Sequence, residues 1–480
     1  MTQLEFVGGF IDANAERITA LAREIWGYAE LAYEEHRSCA ALIRVLEESG
    51  FSVETGIAGI PTAFRASWSS GSGKPVAAFL GEYDALDALS QEAGRPEKEP
   101  VCDGAPGHGC GHNLLGVGSL AAALAVKEYL AAEGKDGTIV YFGCPAEEGA
   151  GSKQFIARAG CFDDVDFAYT WHPGTENTVS GKGCVAIMGA NFTFDGVASH
   201  AGGAPHLGRS ALDAAELMNV GVNYLREHMI DEARVHYAYS DAGGTAPNVV
   251  PAHAVIKYEV RAPKVAQVQE LFARVVNIAK GAALMTETVM NYEVTMAFSD
   301  YTANRALAEL VSDCLQEVGA PKWSEEDYAL AASFLRTYGR NMLRSIREDL
   351  TEQYGPERAE ELLERPLDST VRPFDPSERR YESGSTDVGD VGYAVPTVNL
   401  GVATACIGNV GHSWQNTAFS NSPIGDKGLL TAAKVLALAA LRTMEDPLRI
   451  ERAKRELFAK NGGHYTCPLP DYVEPPIGKY

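Results

Sequence analysis

The sequence predicts an α/β protein, a helix-flanked sheet with its chemistry at the strand ends, interrupted by a self-contained α+β domain of ferredoxin-like order. Two patterns carry this. Short apolar runs at 75–80, 138–143 and 165–170 have strand length, and each leads, directly or after a loop or helix, into metal-competent or acid–base side chains. Between 185 and 298 the pattern reads strand, helix, strand, strand, helix, strand, which is the ferredoxin-like order.

In chain order, 3–50 reads as helix, with helical apolar spacing through Ile18, Leu21 and Ile25 and again through Ala41, Leu42, Val45 and Leu46 before Gly50. The three strand-like runs follow. The inserted unit comprises strand 185–194, helix 210–228, strands 235–240 and 254–260, helix 265–284 and strand 286–296. A charged stretch at 325–380 reads as exposed helix, strand returns at 397–401, and 463–480 reads as a proline-bearing tail laid over the surface. The expected organisation is therefore a catalytic domain in two parts, 1–184 and 299–480, around an insert at 185–298.

Composition narrows the function. The 480 residues are 46% hydrophobic, enough for a large core and two or three domains. The 64 acidic residues against 41 basic ones give a net charge of −23, so neither nucleic acid nor an anionic membrane surface is an expected partner. The most apolar stretches, 114–132 and 429–441, carry Lys127, Glu128 and Lys434 and read as buried helices, not membrane spans. The first residues, MTQLEFVGGFIDANAERI, lack a secretory pattern, and nine cysteines without paired spacing predict reduced thiols. The expected location is the cytoplasm, where a thiolate ligand survives.

Four short segments concentrate the chemistry: GHGCGHN at 107–113, CPAEEG at 144–149, TWHPG at 170–174 and GHSWQ at 411–415. Cys110 and His112 share a glycine-rich turn, so both side chains can converge on one ion. Thiolate, imidazole and carboxylate together form a first-row transition-metal set, open to Zn, Mn, Co or Ni. Of the adjacent Glu147 and Glu148, one can bind a metal while the other acts as general base on water, the division of labour of a metallohydrolase. Two competing motifs fall away. Gly116, Gly118 and Ala121 match a dinucleotide pattern, but no strand immediately precedes them. Ser385 and Thr386 beside Asp387 lack a nucleophile elbow.

These segments, in this order, resemble the M20 metallopeptidase family of dinuclear amidohydrolases, in its cysteine-containing branch. The resemblance also takes in LAYEE at 31–35, GEYDAL at 81–86, SHAGG at 199–203, APNVVP at 246–251 and STDVGD at 385–390. It implies a mixed sheet flanked by helices, an inserted dimerisation or lid domain, and two divalent ions per chain, Mn or Zn ahead of Co or Ni. Cys110 would bridge them, one ion taking also His112 and His172, the other Glu148 and His412. Glu147 would be the general base, Asp84 a carboxylate orienting a ligand, and His200 a group reaching across a dimer to the oxyanion. Asn248, Arg261, Gly384 and Ser385 would line the substrate pocket. The family's strand-end His-x-Asp is here Glu82, Tyr83, Asp84, so His112 supplies the imidazole and Glu82 becomes a further candidate ligand. The implied reaction is amide hydrolysis of an N-acyl amino acid, with p-aminobenzoyl-glutamate foremost and dipeptides or other N-acyl amino acids as the alternative. A non-catalytic partner subunit is the alternative of another class. The implied assembly is a homodimer through the insert or a hetero-oligomer with a related subunit.

Overall fold

The computed structural model describes residues 1–378, 381–382 and 384–479. The strands, in chain order, are β1 (Ser52–Thr55), β2 (Phe64–Ser70), β3 (Val76–Gly81), β4 (Gly137–Gly143), β5 (Phe167–Gly174), β6 (Gly183–Cys184), β7 (Ala186–Asp195), β8 (Arg234–Asp241), β9 (His253–Ala262), β10 (Val289–Phe298), β11 (Tyr381–Glu382) and β12 (Thr397–Ala403). Six of them form one mixed sheet in the order β1-β2-β4-β3-β5-β12. Its β4, β3, β5 and β12 run parallel, whereas β1 and β2 pair antiparallel on the β4 edge. The parallel strands are apolar on both faces, Val76–Gly81 and Gly137–Gly143 being buried throughout, as helices on both sides require.

This order creates the site. From β3 the chain crosses through helix His112–Glu133 to β4 on one side, then through helix Lys153–Arg158 to β5 on the other. The crossovers diverge at the carboxyl end of β3, a topological switch point where open α/β sheets leave a crevice for ligands.

Helix His112–Glu133 is long and apolar enough to span a membrane, but 78% of its apolar window is buried against the sheet and helix Pro423–Met444. Its glycines explain the dinucleotide-like spacing. A Cβ on Gly116 would lie 2.5 Å from the Glu82 carbonyl oxygen, and one on Gly118 would lie 2.6 Å from the Trp171 indole nitrogen. These glycines let the helix approach β3 and β5.

The insert has its own antiparallel sheet, β10-β7-β9-β8, with helices Ala211–Leu225 and Val265–Thr286 packed against it. This is the ferredoxin-like arrangement expected from the sequence, with element ends within a few residues. Burial alternates along β9, so period-two patterning located it.

Two features differ from the sequence pattern, and a third adds to it. The helical stretch 3–50 is divided into Gln3–Ala13, Ala15–Tyr28 and His36–Glu48. Ala29 and Tyr33 take left-handed φ of 45° and 66°, and the Glu30 carboxylate accepts the Arg37 and Ser38 N–H groups to start the third helix. The charged stretch is three helices, Glu325–Leu335, Arg340–Tyr354 and Pro356–Glu364, each with a buried apolar face; residues 379 and 380 at its end lie outside the described residues. The tail is fastened down: Leu469 and Val473 are buried, Arg158 donates to the Val473 carbonyl at 2.9 Å, and the Tyr465 hydroxyl donates to Asp390 at 2.9 Å.

Gly116→Ala is expected to destabilise the fold by roughly 1–3 kcal/mol through overpacking. Gly8→Ala, in a helix with nothing within 4 Å of a new Cβ, is expected to stabilise by about 1 kcal/mol. Urea unfolding of both variants tests the contrast, and stabilisation by Gly116→Ala contradicts the close approach.

Candidate metal centre

Five segments meet at the switch point. Glu82 and Asp84 follow β3, Cys110 and His112 sit at the start of the next helix, Glu147 and Glu148 follow β4, His172 lies inside the end of β5, and His412 lies in the loop after β12. The sequence runs placed β5 at 165–170; it continues to Gly174 by pairing with β12 through His172↔Gly401.

Ligand atoms of Cys110, His112 and His172 lie within 4.8 Å of one another, as do those of Cys110, Glu148 and His412, and those of Glu82, His112 and Glu147. Cys110 Sγ is 3.5 Å from His172 Nε2, and His412 Nε2 is 3.1 Å from Glu148 Oε1. Hydrogen bonding fixes two tautomers. His112 Nδ1–H donates to Asp84 Oδ1 at 2.7 Å, and His172 Nδ1–H donates to the Pro173 carbonyl at 2.8 Å. With Nδ1 so engaged, each imidazole turns its Nε2 toward Cys110, the orientation that metal-binding histidines take.

The residues fit a pair of cations. His112 Nε2 and Glu148 Oε1 are buried and make no hydrogen bond; the side chains that approach them, Glu82 at 3.3 Å and His412 at 3.1 Å, are themselves candidate ligands, so a cation drawing these donors together would engage both atoms. The protein's own charges are also out of balance. Desolvation, then the Glu82 and Asp387 carboxylates, push Glu147 well above the usual carboxylate range. Burial pushes the Cys110 thiol up despite His112, whereas a cation would favour the thiolate. Glu148 goes the other way: burial would raise it, but His412 and His112 together outweigh that and hold it down.

Three groups behind the cluster hold it in shape. Asp84, besides orienting His112, accepts the Glu148 N–H at 2.8 Å. Glu35 accepts the Ala146 N–H at 2.8 Å and the Thr62 hydroxyl at 3.0 Å, fixing the turn before Glu147, where Ala146 has φ 62°. Burial, then Asp84, push Glu35 up to about 8. Lys153 is completely buried, its ammonium 2.6 Å from Glu82 and 2.5 Å from Asp387. Burial alone would lower it, but Asp387 and Glu82 hold it well above the usual lysine range. Glu82 in turn reaches 3.3 Å from His112 Nε2. Sequence reading missed Lys153 and the role of Glu35. Lys153 looks like an ordinary helix residue, and Glu35 carried no signal beyond its place in LAYEE. Asn113 is a structural tie, donating to the Ala22 and Ser420 carbonyls.

The remaining candidates lie elsewhere. His200 and Asn248 are exposed on two bridged loops of the insert, the Ala201 N–H donating to the Asn248 carbonyl at 2.9 Å. His200 Nδ1 accepts the Gly202 and Gly203 N–H groups at 3.1 and 2.9 Å, which leaves Nε2 as the ring donor. Arg261, at the end of β9, pairs with Glu259 at 3.0 Å and reaches Ser385 Oγ at 3.4 Å. Gly384 accepts the Val185 N–H at the start of the insert.

Fold, donor set and sequence define one class. Residues 78–346 match the family described as Peptidase family M20/M25/M40, and the chain belongs to that family. It is a metal-dependent hydrolase of a linear amide or peptide bond. It is 40% identical over 474 residues to a p-aminobenzoyl-glutamate hydrolase subunit of Escherichia coli (strain K12), covering 98% of each chain. It is 30% identical over 465 residues to the Xaa-Arg dipeptidase of Mus musculus, covering 94% of this chain and 91% of that one. A solved dinuclear metal-binding peptidase of the M20 family from Bacillus subtilis shares the fold, with a TM-score of 0.58 at 16% identity over 90% of this chain and 99% of that chain.

Lys153→Met leaves Glu82 and Asp387 buried without their cation. Loss of one partner of a buried ion network is expected to cost roughly 3–5 kcal/mol. Denaturant unfolding measures it, and a loss below about 1 kcal/mol contradicts the role given to Lys153.

Proposed function

We propose that the protein hydrolyses N-acyl amino acids, foremost p-aminobenzoyl-glutamate to p-aminobenzoate and glutamate. The observation that carries the reading is the pair of donor groups sharing Cys110, with the Glu147 carboxylate beside them. The substrate is carried by the whole-length likeness to the E. coli p-aminobenzoyl-glutamate hydrolase chain. Dipeptide hydrolysis is the second reading, favoured by the likeness to the mouse Xaa-Arg dipeptidase.

Cys110, His112 and His172 would hold one divalent ion, and Cys110, Glu148 and His412 the other, Mn or Zn ahead of Co or Ni. Ions bound there would polarise the amide carbonyl and acidify a water molecule. Glu147 takes the proton from the attacking water and returns it to the leaving amine. Its desolvated setting raises its basicity toward that of a working general base. His200 Nε2–H donates to the oxyanion of the tetrahedral intermediate. Arg261, with a planar fork suited to a carboxylate, holds the substrate carboxylate with Asn248, and Gly384 and Ser385 line the same pocket. Exposure of His200 on the insert suits donation to the site of a second subunit, either another copy or a related chain, since the E. coli relative is itself named as one subunit of its hydrolase. All nine cysteines are free, as in a reducing compartment such as the cytoplasm.

Glu147→Gln is expected to keep both ions and lose about 10²- to 10⁴-fold in kcat, measured by metal content and glutamate release from p-aminobenzoyl-glutamate beside a dipeptide panel. Near-normal turnover, or loss of an ion, removes Glu147 from this role. Co-expressed with His200→Ala, it should form a mixed dimer more active than the sum of the parents. No such gain in a verified mixed dimer would confine His200 to its own chain.

A further inference from the structure

His412 is held differently from the other donors at the metal centre. His112 and His172 each have their second ring nitrogen engaged by a protein oxygen, and the Glu148 backbone is tied to Asp84. The His412 side chain is 55% exposed, and Glu148 is its ion-pair partner. Its backbone has a left-handed φ of 55°, which a non-glycine residue keeps only where its surroundings impose it. The position of this imidazole therefore depends on its loop.

That loop is tied from two directions. The His412 N–H donates at 2.9 Å to the Gly109 carbonyl, one residue before Cys110, and Asn416 Nδ2 donates to the same oxygen at 2.7 Å. Asn409 Nδ2 donates to Asn416 Oδ1 at 2.7 Å. The Tyr338 hydroxyl donates to Asn409 Oδ1 at 3.0 Å and accepts the Val410 N–H at 3.2 Å. An unbroken relay, Tyr338 to Asn409 to Asn416 to Gly109, thus joins the charged helical segment to the turn that carries Cys110. Packing follows the same path. Ile407 sits among Leu335, Ile346 and Leu350, and Phe334 packs against Phe419 with ring centres 4.2 Å apart and the rings tilted by 37°.

We propose that the helical segment 325–364 is a brace for the His412 loop, with Tyr338, Asn409 and Asn416 as positioning residues that keep His412 in register with Cys110 and Glu148. The proposal rests on the reading of His412 as a metal ligand. It gives the segment a task its exposed charges do not suggest: the outward faces are solvated, and the inward residues fix one donor of one ion.

The test is zinc binding by metal-free protein, titrated in competition with a chelator so that two affinities are read. His412→Ala should lose one tight ion. Tyr338→Phe and, at the other end of the relay, Asn416→Ala should each weaken one ion by about tenfold or more and leave the other within about twofold, the scale seen when a group orienting a ligand is removed. Arg347→Ala, which removes only an exposed ion pair with Glu360 in the same segment, should bind both ions like the wild type. If His412→Ala keeps both affinities, the ligand assignment falls and takes the brace with it. If His412→Ala loses an ion while both relay variants bind like the wild type, the ligand assignment stands and the brace is overturned. Equal weakening of both ions, or weakening by Arg347→Ala to match Tyr338→Phe, also overturns it.

Discussion

Carboxylates that leave water lose hydration and repel one another, and this fold buries Glu82, Asp84 and Asp387 together at the end of one sheet, with Glu147 and Glu148 beside them. Everything near the switch point answers that charge. Lys153 neutralises Glu82 and Asp387 from behind, His112 donates to Asp84, and Glu148 pairs with His412. On the crevice side Cys110 faces both the Nε2 of His112 and an oxygen of Glu148, and neither of those two atoms makes a hydrogen bond. Divalent metal, which hydrolases of this family use, would supply positive charge there, and burial, with the same crowding of carboxylates, raises the proton affinity of Glu147.

The sheet order makes this crowding possible in conformational terms. Because the crossovers diverge at β3, donors from three strand ends and one helix start meet there. The exception is His412, which arrives on a loop after β12 and takes its position from hydrogen bonds to the Cys110 turn. Fixed groups behind and a braced loop in front are two solutions to one requirement, since donor atoms must be held closely before an ion is bound.

Much of this was legible in the sequence, for a physical reason. Glu147, Glu148 and His172 lie at or just past apolar strands and Cys110 and His112 just before an apolar helix, so local pattern and chemistry coincide, and in the insert the alternation of β9 and the helical spacing follow the fold. Residues whose meaning comes from distant partners were not legible. Lys153 opens a six-residue helix and reads as a surface cation until Glu82 and Asp387 are brought to it. Tyr338 lies in a stretch whose charge spoke only of solvent, and nothing in its neighbourhood pointed to Asn409. The strand Phe64–Ser70 escaped notice because FRASWSS alternates weakly and pairs at the antiparallel side of the sheet. The glycines at 116 and 118 gave a misleading signal, since the same absence of a side chain serves a phosphate turn and a close helix–sheet approach.

The central claim is that Cys110 is a thiolate shared by two ions. X-ray absorption on the zinc-loaded protein tests it directly. The account predicts sulfur in the coordination shell at about 2.3 Å in the wild type and its disappearance in Cys110→Ser. A shell of nitrogen and oxygen alone in the wild type, or sulfur that persists in Cys110→Ser, would contradict it.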